Sequence, residues 1–279
     1  MTVISEASTS KYVMAGDVKM HYNEVGTGDV TIICLHGAGP GASSWGNFTS
    51  NIEAFAKDHR VLLVDMPMFG KSAKIKIEYP KLTNVARIMR DFMDAIGLKK
   101  AHIVGNSFGG QVALKTAIDY PDRVGHVVII GSAPVQHSLF CPMPVEGVKL
   151  IESYYKEDGP TPAKLKKILQ TLVYDSSYLT DEIVQARFET SIEPETLRVQ
   201  SLPGVKKQVL NDEFGAIKSP VLVVWGMDDR AGALDVGLLM TRHIPNAQMH
   251  IFNKCGHWAQ VEHAEEFNRL VLDFIATTK

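Results

Sequence analysis

The chain has 279 residues, 45% apolar and 22% charged, with a formal charge of −2 from 29 Lys and Arg against 31 Asp and Glu. That composition excludes a disordered chain, a collagen-like repeat and a coiled coil. No net basic field favours nucleic acid or an anionic membrane, and three scattered cysteines (Cys34, Cys141 and Cys255) cannot make a disulfide framework.

The N-terminal segment has no apolar run suited to a signal peptide, and no stretch approaches the ~20 apolar residues of a membrane span. A reducing cytoplasm is the expected compartment. Length alone leaves one domain or two.

In chain order, short β-branched runs predict strands at Lys19–Asn23, Val30–Leu35, Val61–Val64, His102–Val104, Val127–Ile130, Val221–Trp225 and Gln248–Phe252. Helical patterns lie between them at Ser44–Ala56, Leu82–Ile96, Phe108–Tyr120, Leu234–His243 and Ala264–Ile275. Several strands are apolar without alternation, as in a sheet covered on both faces. The alternation predicts an α/β fold with a mostly parallel sheet.

The rhythm breaks between Ser132 and about Phe214. That stretch holds helical patterns at Gly147–Tyr155, Ala163–Val173 and Asp181–Thr190, and prolines at 134, 142, 144, 160, 162, 194 and 203 punctuate it. Ser219-Pro220 then leads back into an apolar strand. The expected organisation is a core of 1–132 and 215–279 interrupted by a helical cap over 133–214.

Gly105-Asn106-Ser107-Phe108-Gly109 fits G-x-S-x-G, after a predicted strand and before a predicted helix. That context defines a nucleophile elbow. The turn is sharp, so small residues must flank the serine, and Gly105, Gly109 and Gly110 supply them. Ser107 Oγ would project above the strand ends, with helix N-terminal N–H groups behind it. A bare G-x-S-x-G in a loop is common; strand and helix set this one apart.

A serine needs a base, and the base needs an orienting acid. In this motif class the acid precedes the histidine in the chain. His257, in Lys254-Cys255-Gly256-His257-Trp258, follows the last predicted strand. Alone it would be an ordinary loop histidine; its place in the order makes it the base. Gly131-Ser132-Ala133-Pro134 offers no acid, whereas Gly226-Met227-Asp228-Asp229-Arg230 offers two, and one of Asp228 and Asp229 fills the role. His36-Gly37-Ala38-Gly39-Pro40-Gly41 matches an oxyanion loop, with the Ala38 and Phe108 backbone N–H groups as donors.

Rival motifs are weaker. Gly37-x-Gly39-x-x-Ala42 with Asp65 after the next strand approaches a dinucleotide fingerprint, but Pro40 lies where N–H groups are needed, and Ser107 and His257 are left unexplained. Gly70-Lys71-Ser72 hints at a phosphate loop, yet Asp65 stands where its first glycine is required. Cys255-x-His257 is an isolated pair, so no metal is expected.

The chain resembles the meta-cleavage product hydrolases, carbon–carbon bond hydrolases of the α/β-hydrolase fold from bacterial aromatic and steroid degradation. The residues that carry this are HGAGPGASSWGNF (36–48), VGNSFGG (104–110), LFCPMPVEGVKL (139–150), LVYDSSYLTDEIVQARFE (172–189), WGMDDR (225–230) and FNKCGHWAQVEHAEEFNRLVLDF (252–274). The resemblance implies a 2-hydroxy-6-oxohexa-2,4-dienoate substrate, hydrolysed to 2-hydroxypenta-2,4-dienoate and a carboxylic acid without a cofactor. It selects Asp229 as the acid. It assigns the substrate's carboxylate end to Arg187, Asn106 and Asn47, makes Trp258 a wall beside the dienoate, and adds Gly39 as a substrate-binding position. Without it, Arg187 reads as a solvated helix arginine, Asn106 as a turn support and Trp258 as packing. It also implies a homo-oligomer.

Two departures stand near the site: Met68, where many relatives have glycine, and Ala231-Gly232-Ala233, which lacks a usual proline. A carboxylesterase or thioesterase on the same triad, and a non-catalytic ligand-binding protein of the same fold, are the competing readings.

Overall fold

A computed structural model describes residues 4–135, 137–156 and 158–278. Its centre is an eight-stranded sheet: β1 (Ser10–Ala15), β2 (Val18–Val25), β3 (Thr31–Leu35), β4 (Arg60–Val64), β5 (Ala101–Asn106), β6 (Val124–Ile130), β7 (Val221–Gly226) and β8 (Ala247–Phe252). The spatial order is β1-β2-β4-β3-β5-β6-β7-β8. β2 pairs antiparallel with β1 and β4, and every other pairing is parallel.

The seven predicted strands are β2 to β8. β1 was not predicted, because SKYVMA turns mostly exposed residues outward at the sheet edge and shows no buried stripe. The predicted helix Ser44–Ala56 is broken into Ser44–Phe48, a 3-10 turn at Thr49–Asn51, and Ile52–Ala56. Phe48 leaves helical geometry at φ −125° and ψ 13°, and in the turn that follows the buried Asn51 Nδ2 donates to the Gln260 carbonyl and to Asn268 Oδ1, at 2.9 and 2.7 Å.

The parallel strands are buried on both faces, so successive residues feed opposite cores. Ile33, Leu35, Ile103, Val127, Ile129, Val221 and Val223 pack into one apolar cluster. Ile32, Cys34, Val104, Val128, Ile130, Leu222 and Val224 pack into the other. This is why no alternation was visible in those runs.

Between β6 and β7 the described residues form four α-helices, Glu146–Ser153, Pro162–Leu172, Asp181–Ser191 and Pro194–Gln200, and no strand. The first three share a third cluster, built on Leu165, Ile168, Leu169, Leu172 and Val184, which also takes in Ala231 and Trp258.

β3 leads to β4 on one side, while β5 lies on the other. Chain direction therefore diverges at β3 and β5, and a crevice opens past their carboxyl ends. Leu35 is in register with Gly105, so the loop at His36 and the turn at Ser107 lie side by side.

Candidate active site

Ser107 sits between β5 and the Phe108–Asp119 helix with φ 54° and ψ −116°. A non-glycine residue in this region is strained. The surroundings impose the conformation: Ser107 N–H donates to the Ile130 carbonyl at 2.7 Å, and its own carbonyl accepts Gly110 and Gln111 N–H at 3.1 Å. A Cβ on Gly105 would strike the Gly109 backbone, one on Gly109 the Leu35 carbonyl, and one on Gly110 the Ser132 hydroxyl. Ser107 nevertheless keeps accessible surface.

His257 and Asp229 meet at 2.8 Å, Nδ1 to Oδ2, with side chains 4% and 1% exposed. Asp229 Oδ1 accepts Ala231 and Gly232 N–H at 2.7 and 2.8 Å, so both carboxylate oxygens are engaged. Asp228 is exposed and takes no part. Gly131, at the end of β6, has φ +57°, and a Cβ there would lie 2.6 Å from His257 Nδ1. The missing acid in that loop thus has a steric reason: the imidazole fills the space. Asn106 Nδ2 donates to the His257 carbonyl at 3.1 Å and to the Ile130 carbonyl at 3.2 Å, which ties the histidine loop to the serine turn.

The loop 36–41 runs beside the serine, and a Cβ on Gly37 would sit 3.2 Å from Ser107 Cβ. His36 holds the loop. Its Nδ1 bonds the Gly37 carbonyl at 2.7 Å and its Nε2 accepts Met66 N–H at 3.1 Å. Those bonds require the neutral ring, and burial lowers its pKa in agreement. Ala38 and Phe108 N–H have no protein acceptor among the described residues.

Arg187 comes from the Asp181–Ser191 helix and leans on this loop. Its Nε donates to the Pro40 carbonyl at 2.8 Å. A Cβ on Gly39 would lie 2.9 Å from Nη2, and one on Gly41 (φ +64°) would strike the Arg187 backbone carbonyl. The glycines admit the helix. The guanidinium stands 5.3 Å from the Trp258 ring centroid, a cation–π arrangement. No carboxylate pairs with it among the described residues. Dense protein around it lowers its pKa to about 10, although Tyr178, Tyr155 and Tyr154 push the other way, so the charge persists at neutral pH.

A cavity of about 560 Å³ is lined by Arg187, Asn47, Trp258 and Tyr178. Asn47 Oδ1 accepts Gly37 N–H at 3.1 Å, while its buried Nδ2 and the Tyr178 hydroxyl have no partner among the described residues. A donor left over beside a free guanidinium suits a carboxylate. Asn106 differs. Its amide N–H groups are committed to two carbonyls, and its orphan Oδ1 can only accept. A second cavity, of about 520 Å³, lies across Gly41 and is lined by Ala38, Met68, Phe69 and Phe108. Met68 holds φ 81° there, a conformation natural to the glycine expected at that position. Among the described residues no cluster of potential ligands could hold a metal, and no helix is long and apolar enough to cross a membrane.

Sequence reasoning missed the bracing role of His36, the orphan hydroxyl of Tyr178, and Glu262. Glu262 accepts Gly256 N–H at 2.8 Å and Tyr174 N–H at 2.7 Å. The spacing to His257 in the GHW-x-Q-x-E run was the available signal for Glu262; Tyr178 had none.

A serine elbow, a following acid, a final histidine and a mixed sheet of this order define the α/β-hydrolase class. The alpha/beta hydrolase fold family model matches residues 30–264. A 2-hydroxy-6-oxononadienedioate/2-hydroxy-6-oxononatrienedioate hydrolase of Paraburkholderia phymatum is 44% identical, over 97% of each chain. A 2-hydroxy-6-oxo-6-phenylhexa-2,4-dienoate hydrolase of Burkholderia cepacia is 42% identical over 99% of each. The structure of a meta-cleavage product hydrolase from Pseudomonas fluorescens, with acetates bound, superposes with a TM-score of 0.87 at 30% identity, covering 98% of this chain and 100% of that one. The chain belongs to the meta-cleavage product hydrolases of the α/β-hydrolase fold, serine enzymes that hydrolyse carbon–carbon bonds.

Proposed function

We propose that the chain hydrolyses the C5–C6 bond of 2-hydroxy-6-oxohexa-2,4-dienoates, with Ser107, His257 and Asp229 as the catalytic triad. The observation that carries this is an unpaired guanidinium, Arg187, held against the oxyanion loop of a complete serine site. An ordinary esterase site has no need of that charge; a substrate with a carboxylate at one end does.

In this reading Arg187 and Asn47 Nδ2 hold the C1 carboxylate, with Trp258 and Gly39 shaping the wall. Asn106 Oδ1 is suited to accept from the 2-hydroxyl. The dienol first becomes its keto tautomer, gaining a proton at C5. His257, oriented by Asp229, takes the Ser107 proton as Oγ adds to the C6 ketone. Ala38 and Phe108 N–H hold the oxyanion. The C5–C6 bond then breaks, its electron pair leaving as a carbanion conjugated with the 2-oxo acid, and His257 returns the proton. Water, deprotonated by His257, releases the acyl group as a carboxylic acid and restores Ser107. No metal or cofactor enters these steps.

Residues 133–214 serve as a lid on a core of 1–132 and 215–279; the support is that Arg187 and the third apolar cluster reach the core from that stretch. A homo-oligomer in the cytoplasm is the accompanying expectation.

The test uses the colour of ring-fission dienoates. The purified chain should bleach 6-phenyl or 6-alkyl dienoates, and Ser107→Ala should bind them without turnover. Rapid p-nitrophenyl ester hydrolysis with no bleaching of any dienoate would favour the esterase reading instead.

A further inference from the structure

Residues 172–175 of the helical insertion run along the loop that carries His257. His257 N–H donates to the Leu172 carbonyl at 2.7 Å. A Cβ on Gly256 would lie 2.7 Å from that same oxygen and 2.7 Å from Val173 Cα, so the two backbones touch there. Glu262 joins them a second time. It ends the short Ala259–Glu262 helix, and its own N–H donates to the Trp258 carbonyl at 2.9 Å. Its Oε1 accepts Gly256 N–H at 2.8 Å. Its Oε2 accepts Tyr174 N–H at 2.7 Å and Asp175 N–H at 3.2 Å.

Each of these partners is a donor. Both side-chain oxygens must therefore be bare acceptors, a condition that only the ionised carboxylate meets. A protonated carboxyl, or an amide, turns a hydrogen toward one of the two segments and leaves its N–H unanswered. Burial pushes the Glu262 carboxyl above its ordinary value, by more than the Gly256, Asp175 and Tyr174 N–H donors and His263 pull it down. A carboxyl raised in this way makes the ionised form a cost to folding at neutral pH. Position, not stability, accounts for an acceptor-only charge bonded to the residue that adjoins His257. His263, next in the chain, favours the charge. Burial first, and the Glu262 charge second, push Cys255 and Tyr178 up. Lys254 and Asp175 are exposed, and Glu265, Glu266 and Arg269 line an open surface hollow beside Glu262.

We propose, resting on the triad reading above, that Glu262 is a positioning residue for His257: as a carboxylate it locks the base loop to the insertion, and on protonation it releases it. The clamp acts through the Gly256 backbone and leaves the His257–Asp229 hydrogen bond to align the ring.

The experiment measures kcat and KM across pH on whichever dienoate or p-nitrophenyl ester the full chain turns over. At about pH 8, Glu262→Gln should lose roughly 10- to 100-fold in kcat, the scale of a misplaced catalytic group, with KM within about twofold of wild type. Glu262→Asp keeps two acceptors on a shorter arm and should recover part of the loss. Glu265→Gln removes a charge from the same hollow without touching either segment and should match wild type. The ratio of wild-type to Glu262→Gln kcat should fall toward one as pH drops, because protonated Glu262 and glutamine present the same mismatch. Titration of His257 is common to both proteins and cancels in the ratio. A ratio constant with pH, or a loss confined to KM, overturns the proposal. Amide hydrogen exchange reads the clamp in wild type without a variant. Protection factors at Gly256, Tyr174 and Asp175 should fall together as the carboxyl is protonated, and protection that persists overturns the proposal. A wild type that turns over neither substrate removes the triad reading and this proposal with it; turnover with a pH-independent ratio defeats this proposal alone.

Discussion

Gly131→Ala tests the placement of His257, the proposed general base, without altering any residue of the proposed triad. Gly131 has φ +57°, and a methyl built there would lie 2.6 Å from His257 Nδ1, 2.7 Å from Cε1 and 2.9 Å from Asp229 Oδ2. Carbon and nitrogen rest at ~3.5 Å or more, so the imidazole must retreat by roughly 1 Å. A misplacement of that size costs about 10²-fold in rate. The backbone adds a separate penalty, about 1–2 kcal/mol for a side chain in the left-handed region, partly offset by the stiffer unfolded chain. Gly97→Ala isolates that second effect, because Gly97 has φ +67° and nothing within 4 Å of the added methyl. Both variants should melt a few degrees below wild type, as ~1 kcal/mol does in a chain of this size. Only Gly131→Ala should lose kcat, by about 10²-fold, measured on whichever dienoate or ester the wild type turns over. Equal kcat values for the two variants would refute the claim that this glycine makes room for the base.

Asp229→Asn should fold normally and lose about 10⁴-fold in kcat. Its oxygen will stay on the Ala231 and Gly232 N–H donors, so its NH2 must face His257 Nδ1 and force the tautomer that cannot accept the Ser107 proton; near-wild-type kcat with an unshifted melting curve would defeat this. Glu24 lies between Arg60 and Lys11, each at 2.7 Å. Burial pushes its carboxyl up, but the hydrogen bonds from Arg60 and Lys11 outweigh it and leave the pKa lowered. The stability is therefore present above the unfolded carboxyl value and fades as pH falls through the lowered one. Glu24→Gln should cost up to about 1 kcal/mol at pH 7, given the part-exposed pair, and nothing near pH 2; parallel denaturation midpoints at both pH values would contradict the assignment.

What could be read from the sequence followed from local physics. The elbow announced itself because a strained serine needs small neighbours at fixed offsets, and those neighbours are visible as Gly105, Gly109 and Gly110. The buried strands were visible as β-branched runs. Long-range packing was not. Asp228 and Asp229 differ only in which one the β7 turn directs inward, and adjacent identical residues carry no local signal for that. Pro162 and Pro194 read as punctuation, yet each opens a helix, since proline at the first helical position forfeits no bond. Nothing in the sequence singles out Lys81. Only the fold brings it to Phe108, 27 positions away in the chain.

The helical stretch between β6 and β7 belongs to the site's own framework. His257 N–H donates to the Leu172 carbonyl at 2.7 Å, and Glu262 joins Gly256 N–H to Tyr174 and Asp175 N–H. On the other side Arg187 bonds the Pro40 carbonyl. The insertion is therefore stitched by one backbone–backbone hydrogen bond and several side-chain-to-backbone ones to the loop that carries His257 and to the loop 36–41. Each such bond contributes only ~1 kcal/mol, but leaving buried partners unmade costs more. A shift of the insertion as a unit would strain both loops together. The proposed lid residues would thus set the distance between His257 and the loop 36–41 proposed to supply an oxyanion donor. An apolar cluster shared by Leu172, Ala231 and Trp258 makes that coupling cooperative. Ala231 sits at that junction, giving its side chain to the cluster and its N–H to Asp229 Oδ1, whereas Met68 lines the cavity across Gly41 and makes no contact with Asp229 or His257 through a hydrogen bond.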